Sequence, residues 1–232
     1  MYQIVILAGG LATRLRPITE IVPKSLVEIN GQPFIFHQLK LLKSKGITKV
    51  LICTGYLGNK IEKLVGNGKM LDMEISYSYD GDVLLGTGGA IKNASSLLEE
   101  KFMITYGDSY LDFDYASLEK TFEKTNYSAM MTIFKNNDNF DKSNVIFEDG
   151  KLKLYSKSTH SHSMHYIDYG LTIVRKSIFD NIKKGDIFDF SIILETLSNK
   201  NELGAFEVPK RFYEIGSFQG IKDLEYYLKI IN

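Results

Sequence analysis

The run Gln3-Ile4-Val5-Ile6-Leu7-Ala8-Gly9-Gly10-Leu11-Ala12-Thr13-Arg14-Leu15-Arg16-Pro17 decides the fold. Residues 3–7 are a nearly unbroken apolar, β-branched stretch of strand length, the form a parallel strand takes when both of its faces are covered. Two glycines follow at once, then a polar loop with threonine and two arginines. Beyond it the pattern repeats. From Phe34, Ile35, Leu39 and Leu42 recur at helical spacing, and Gly46 stands as a C-cap. Lys49–Thr54 reads as a second buried strand, Ile61, Leu64 and Val65 as a short helix, and Met73–Tyr79 as a third strand. The glycines at 86, 88 and 89 open a helix expected to reach about Leu98, and Phe102–Tyr106 is a fourth strand ending at Gly107-Asp108. Such strand–helix–strand repetition implies a parallel sheet that binds ligands at the carboxyl ends of its strands.

The second half has another rhythm. Strand-like stretches at 128–134, 143–148, 152–155 and 166–174 crowd together, with a hairpin signal at Glu148-Asp149-Gly150. Helices are expected around 175–183 and 188–199, a strand over Leu203–Val208, and a last amphipathic helix with Phe218, Ile221, Leu224 and Leu228 on one face. The expected fold class is therefore α/β: a mixed, mainly parallel sheet with helices on both faces and a small antiparallel extension. With no linker or repeat, residues 1–232 read as one domain of two lobes, 1–110 and 111–232.

Composition narrows the function. The 232 residues carry 28 basic and 28 acidic side chains, so the net charge is zero and no basic surplus points to nucleic acid. The only cysteine, Cys53, can form neither an internal disulfide nor a structural zinc site, which fits a reducing cytoplasm. Apolar runs are far shorter than the ~20 residues of a membrane span, and no signal peptide is read at the N-terminus. The 14 tyrosines and 14 phenylalanines are spread through strands and read as core. Any anionic ligand must be met by local charge.

The glycine loop after the first strand offers that. Glycines let backbone N–H groups approach phosphate oxygens, and arginine adds bidentate donors. Arg14 and Lys24, the latter in Pro23-Lys24-Ser25-Leu26, are the candidate cations. Neither a P-loop nor Gly-x-Gly-x-x-Gly is present, and a glycine pair alone is equally a tight turn. His160, His162 and His165 lie in a polar stretch without cysteines or clustered acids, so they read as surface loop rather than metal site, with substrate contact left open for His165.

The order of these pieces resembles the sugar-1-phosphate nucleotidyltransferases. The resemblance rests on Ala8-Gly9-Gly10, Thr13-Arg14-Leu15-Arg16-Pro17, Pro23-Lys24-Ser25-Leu26 and Asn30-Gly31-Gln32-Pro33, then Leu85-Gly86-Thr87-Gly88-Gly89-Ala90, Tyr106-Gly107-Asp108 and Phe212-Tyr213-Glu214-Ile215-Gly216. It implies the Rossmann-like nucleotide-diphospho-sugar transferase fold, with a nucleotide lobe over 1–110 and a sugar-phosphate lobe with the C-terminal helix over 111–232. The implied reaction joins a nucleoside triphosphate to a sugar 1-phosphate and releases pyrophosphate by in-line displacement at the α-phosphorus. The implied catalytic residues are Arg14 on the β- and γ-phosphates, Lys24 on the α-phosphate and Asp108 on Mg²⁺. Leu7, Ala8, Gly9, Gly10, Thr13, Arg14, Asp80, Gly86, Thr87 and Gly88 would bind the nucleotide. Lys157, Asp168, Gly170 and Glu214 would meet the sugar phosphate, with Glu214 as second metal ligand. A monomer or homodimer is expected.

Two positions depart from the family pattern. Ala12 stands where a third glycine is usual, which is harmless at negative φ, and Glu214 stands where aspartate is usual. For the base, Asp80 and Asp82 precede the second glycine loop without a glutamine, which suits the paired donors of guanine. The wording of that loop is similar to heptose-1-phosphate guanylyltransferases. Uridylyl or cytidylyl transfer, for instance to N-acetylmuramate 1-phosphate, stays open, as does a non-catalytic nucleotide-sugar-binding protein.

Overall fold

The computed structural model describes residues 1–231. In chain order it runs β1 (Gln3–Leu7), α1 (Ile18–Ile21), β2 (Glu28–Ile29), β3 (Gln32–Pro33), α2 (Phe34–Ser44), β4 (Lys49–Thr54), α3 (Gly58–Val65), β5 (Glu74–Tyr79), α4 (Gly86–Asn93), β6 (Lys101–Tyr106), β7 (Ser109–Tyr110), α5 (Tyr115–Glu123), β8 (Ala129–Lys135), β9 (Val145–Glu148), β10 (Lys151–Tyr155), β11 (Tyr166–Arg175), α6 (Ser191–Asn199), β12 (Leu203–Glu207), β13 (Tyr213–Glu214) and α7 (Phe218–Ile231). A nine-stranded sheet carries the order β10-β9-β11-β6-β1-β4-β5, with β8 beside β11 and β12 beside β8. β5, β4, β1 and β6 are parallel, and β11 turns antiparallel against β6. This is the mixed, mainly parallel α/β sheet that the sequence implies.

Successive side chains of a strand leave on opposite faces, and in β1 that rule assigns the two cores. Ile4 and Ile6 pack with Ile35, Leu39 and Leu42 of α2 and Leu118 and Phe122 of α5. Val5 and Leu7 pack with Ile91 of α4 and Ile193, Leu194 and Leu197 of α6. A third cluster seats Leu224 and Leu228 of α7 on Ile29, Phe34, Tyr110 and Ile215, and so fixes β13 beside β7. Among the described residues no helix is long and apolar enough to cross a membrane.

Several expectations need correction. The helix expected over 175–183 is one 3-10 turn, Lys176–Phe179, because Phe179 alone of that segment is fully buried. The helix after the second glycine loop stops at Asn93, and a separate 3-10 turn covers Ser95–Leu97. Leu64 and Phe218 are exposed rather than core. α5 escaped the sequence reading, although Asp114 caps it through a 3.1 Å bond from Ser117 N and Tyr115, Leu118 and Phe122 supply its buried face.

Candidate active site

The chain adds β4 and β5 on one side of β1 and then returns to place β6 on the other, so a crevice opens at the carboxyl ends of β1 and β6. The ladders continue past the strands: Ala8 N donates to Cys53 O at 2.8 Å and Gly107 N to Leu7 O at 2.9 Å. A Cβ on Gly107 would stand 2.9 Å from the Ala8 Cβ, so only glycine lets the two turns meet. Here lies a cavity of about 260 Å³ lined by Leu7, Ala8, Gly9, Gly10, Lys24, Asp80, Gly86, Thr87 and Asp108, among others. A Cβ on Gly10 would touch nothing, so the folded chain itself does not require that glycine. Asp80 accepts a 3.2 Å bond from Leu85 N, and burial raises its carboxyl above the usual range.

A second cavity of about 680 Å³ adjoins the first and shares Thr87, Tyr106 and Asp108 with it. Its lining brings together Arg14, Lys157, Asp168, Gly170 and Glu214. Gly170 sits at φ 100° in a register shift of β11 against β8, and its N–H donates to the Asp168 carboxylate at 2.9 Å. Burial pushes Asp168 up to about 6, against the Gly170 N–H and the Lys157 charge, which pull it down. Lys157 pairs with Asp189 at 2.9 Å.

At the seam between the cavities Lys24 Nζ is hydrogen-bonded and ion-paired to Asp108. Glu214 lies opposite Ser109 in the β7–β13 ribbon, and Ile215 N donates to Asp108 O at 2.9 Å. Burial and the Asp108 charge both raise the Glu214 carboxyl, while Lys24 and Arg14 oppose them. A Cβ on Gly216 would meet Glu214 Oε2 at 2.9 Å and an Arg14 terminal nitrogen at 3.1 Å, so that glycine makes room for both side chains. Two carboxylates whose charges act on each other gain from a cation between them, and Mg²⁺, which keeps several waters, needs no third. Among the described residues no group of three or more metal-ligating side chains forms. Two carboxylate oxygens are donors of the kind that suit Mg²⁺ drawing its other ligands from phosphates and water.

Other candidates lie elsewhere. Thr13 is absent from the lining of both cavities. Gly88 turns its back to the crevice: a Cβ there would strike the Phe188 ring at 2.1 Å, so its smallness serves packing. Asp82 and His165 are exposed and line neither cavity, and His160 holds Ser143 O at 3.1 Å. Ala12 has φ 48° and ψ 47°, so the negative φ that would make alanine harmless is not what the chain adopts. Its carbonyl accepts bonds from Leu15 N and Thr19 Oγ1. Tyr106, which lines both cavities, and Asp189 escaped the sequence reading. Asp189 carried a usable signal: it accepts from Ser191 N at the start of α6, as an acid before a helix does.

Residues 3–209 match the Nucleotidyl transferase family. The chain is 33% identical to the D-glycero-alpha-D-manno-heptose 1-phosphate guanylyltransferase of Aneurinibacillus thermoaerophilus over 81% of each chain. It is 26% identical to the N-acetylmuramate alpha-1-phosphate uridylyltransferase of Neisseria meningitidis over 95% of each. Its fold is similar to the crystal structure of HddC from Yersinia pseudotuberculosis complexed with GMP-PN, with a TM-score of 0.81, 25% identity, and 98% and 100% of the two chains covered.

Proposed function

This chain belongs to the nucleotidyl transferase family, as one of its sugar-1-phosphate nucleotidyltransferases, and we propose that it joins GTP to a heptose 1-phosphate, giving a GDP-heptose and pyrophosphate. The carrying observation is the Lys24–Asp108 pair at the seam shared by two cavities. A reaction that joins two phosphates needs two pockets meeting at one charged point.

In this reading the smaller cavity takes the nucleotide and the larger the sugar phosphate. Every residue lining the smaller falls between Leu7 and Asp108, which supports a nucleotide lobe over 1–110. A sugar-phosphate oxygen attacks the α-phosphorus, the bond to the β-phosphate oxygen breaks, and pyrophosphate leaves. The nucleophile is already an anion, so no general base is needed and the work is positioning and charge stabilisation. Lys24 stabilises the charge that develops on the α-phosphate, and Arg14, which lines the larger cavity, takes the leaving phosphates where the two cavities meet. Lys157 orients the sugar phosphate, and Asp168 accepts hydrogen bonds from sugar hydroxyls. Mg²⁺, held by Asp108 and Glu214, would supply charge neutralisation to the phosphates when bound.

Guanine is favoured because Asp80 brings a half-buried carboxylate into the smaller cavity, where it can accept from N1–H and the N2 amino group. The guanylyltransferase relative supports the same reading. Pyrophosphate release measured with each of the four common nucleoside triphosphates against a panel of sugar 1-phosphates tests it. Turnover with GTP and a heptose 1-phosphate is expected. Preference for UTP with N-acetylmuramate 1-phosphate would move the chain to the uridylyl branch, and no turnover with any pair would leave a binding protein.

A further inference from the structure

Gln38 breaks the pattern of its own helix. It lies on the buried face of α2 among Ile35, Leu39 and Leu42, and is only 2% exposed. Its Nε2 donates to Tyr106 O and to Ser109 O, each at 2.8 Å. Both acceptors are carbonyls, so the amide can sit only this way round. Its Oε1 has no hydrogen-bond partner among the described residues. A half-satisfied amide in an apolar core is costly, and the compensating contacts are the two donated bonds. Those bonds bracket a single turn: Tyr106 is the last residue of β6, Ser109 the first of β7, and only Gly107 and Asp108 lie between. Ser109 is also the residue opposite Glu214.

We infer that Gln38 is the positioning residue for the Asp108–Glu214 carboxylate pair: one amide clamps both ends of the turn that carries Asp108 and anchors the ribbon that carries Glu214. This rests on the reading that these two carboxylates hold the metal. Ligands set on a loop keep a fixed separation only if their backbone is tied to a rigid element, and α2 is that element.

The test is Mn²⁺ binding to the full chain, followed by electron paramagnetic resonance, for wild type, Gln38→Met, Gln38→Asn and Asp108→Asn. Met keeps the shape and loses the donors; Asn keeps the donors and loses the reach. Both are expected to weaken Mn²⁺ binding about 10-fold, the lower end of the loss that follows removal of a group supporting a metal ligand, and to lower kcat at limiting Mg²⁺ with recovery at excess. KM for the nucleotide should stay near wild type. A folded Gln38 variant that binds Mn²⁺ like wild type and differs only in melting temperature overturns the inference, as does failure of both variants to fold, which would make Gln38 a folding residue. If Mn²⁺ binding survives Asp108→Asn, the metal reading itself fails; if it is lost there but intact in the Gln38 variants, only the clamp fails.

Discussion

Asp168→Asn should make the protein more stable and a poorer enzyme, and both effects follow from where the carboxylate sits. Burial lifts it to about 6 from an ordinary 3.8, with one fixed donor, the Gly170 N–H, on its side. The native state therefore binds more protons than the unfolded chain between pH 4 and 6. The contribution of this carboxylate to stability must fall as pH rises through that window and then stay level above it. A rise of two units corresponds to ~3 kcal/mol at most, and a carboxylate that lines the larger cavity should show about 1–3 kcal/mol of it. Asparagine keeps an oxygen for the Gly170 N–H and carries no charge to desolvate. The variant should match wild type near pH 4 and exceed it by that amount at pH 8, or roughly 2–12 °C in a chain of this size.

Function should move the other way. If the carboxylate accepts sugar hydroxyls, exchanging it for an amide loses a charged hydrogen bond, and kcat/KM for the sugar phosphate should fall about 10–100-fold. KM for the nucleotide should hold. Urea unfolding from pH 4 to 8 and initial rates at pH 8 measure the two effects separately. A variant no more stable than wild type at pH 8, with an unchanged pH slope, would refute the burial argument. A more stable variant with unchanged sugar-phosphate kinetics would refute only the substrate contact.

Lys24→Ala should lower kcat about 10²–10³-fold, the usual cost of losing one preorganised donor at a developing charge; a raised KM at constant kcat would make Lys24 a ground-state binder. Glu214→Gln should cost as much activity as Asp108→Asn if both ligate Mg²⁺, and Glu214→Asp should not improve on wild type, because losing one methylene draws the carboxylate back toward the ribbon. A Mg²⁺ titration of kcat checks both, and an unchanged Mg²⁺ dependence in the two Glu214 variants would make Glu214 a bystander. Ala12→Gly should leave urea stability unchanged or raise it by up to ~1 kcal/mol, since relief of an alanine at φ 48°, worth about 1–2 kcal/mol, outweighs the extra freedom of the unfolded chain. A loss near 1 kcal/mol would contradict the left-handed conformation.

What the sequence could and could not disclose divides along physical lines. β1 and β4 were legible to the residue because a strand covered on both faces leaves a continuous apolar run, and the turn that carries Asp108 was legible because it follows another such strand, β6. Ala12 was not: alanine has no preference that announces positive φ, and the conformation is imposed by the turn that follows it, where the Ala12 carbonyl takes two donors. Gly88 resembled a ligand-binding glycine, and the structure shows it packed against Phe188, because a glycine records that something comes close without recording what. The same limit hid Asp189 and Gln38. Their partners, Lys157 at a separation of 32 residues and the Tyr106 and Ser109 carbonyls at 68 and 71, are joined only by the closed sheet. The residues proposed to touch a substrate sit next to glycines and strand ends and so leave local marks, whereas those that hold them in place act through tertiary contacts. A polar residue on an otherwise apolar helical face, as Gln38 is on α2, is the one local mark such a residue leaves.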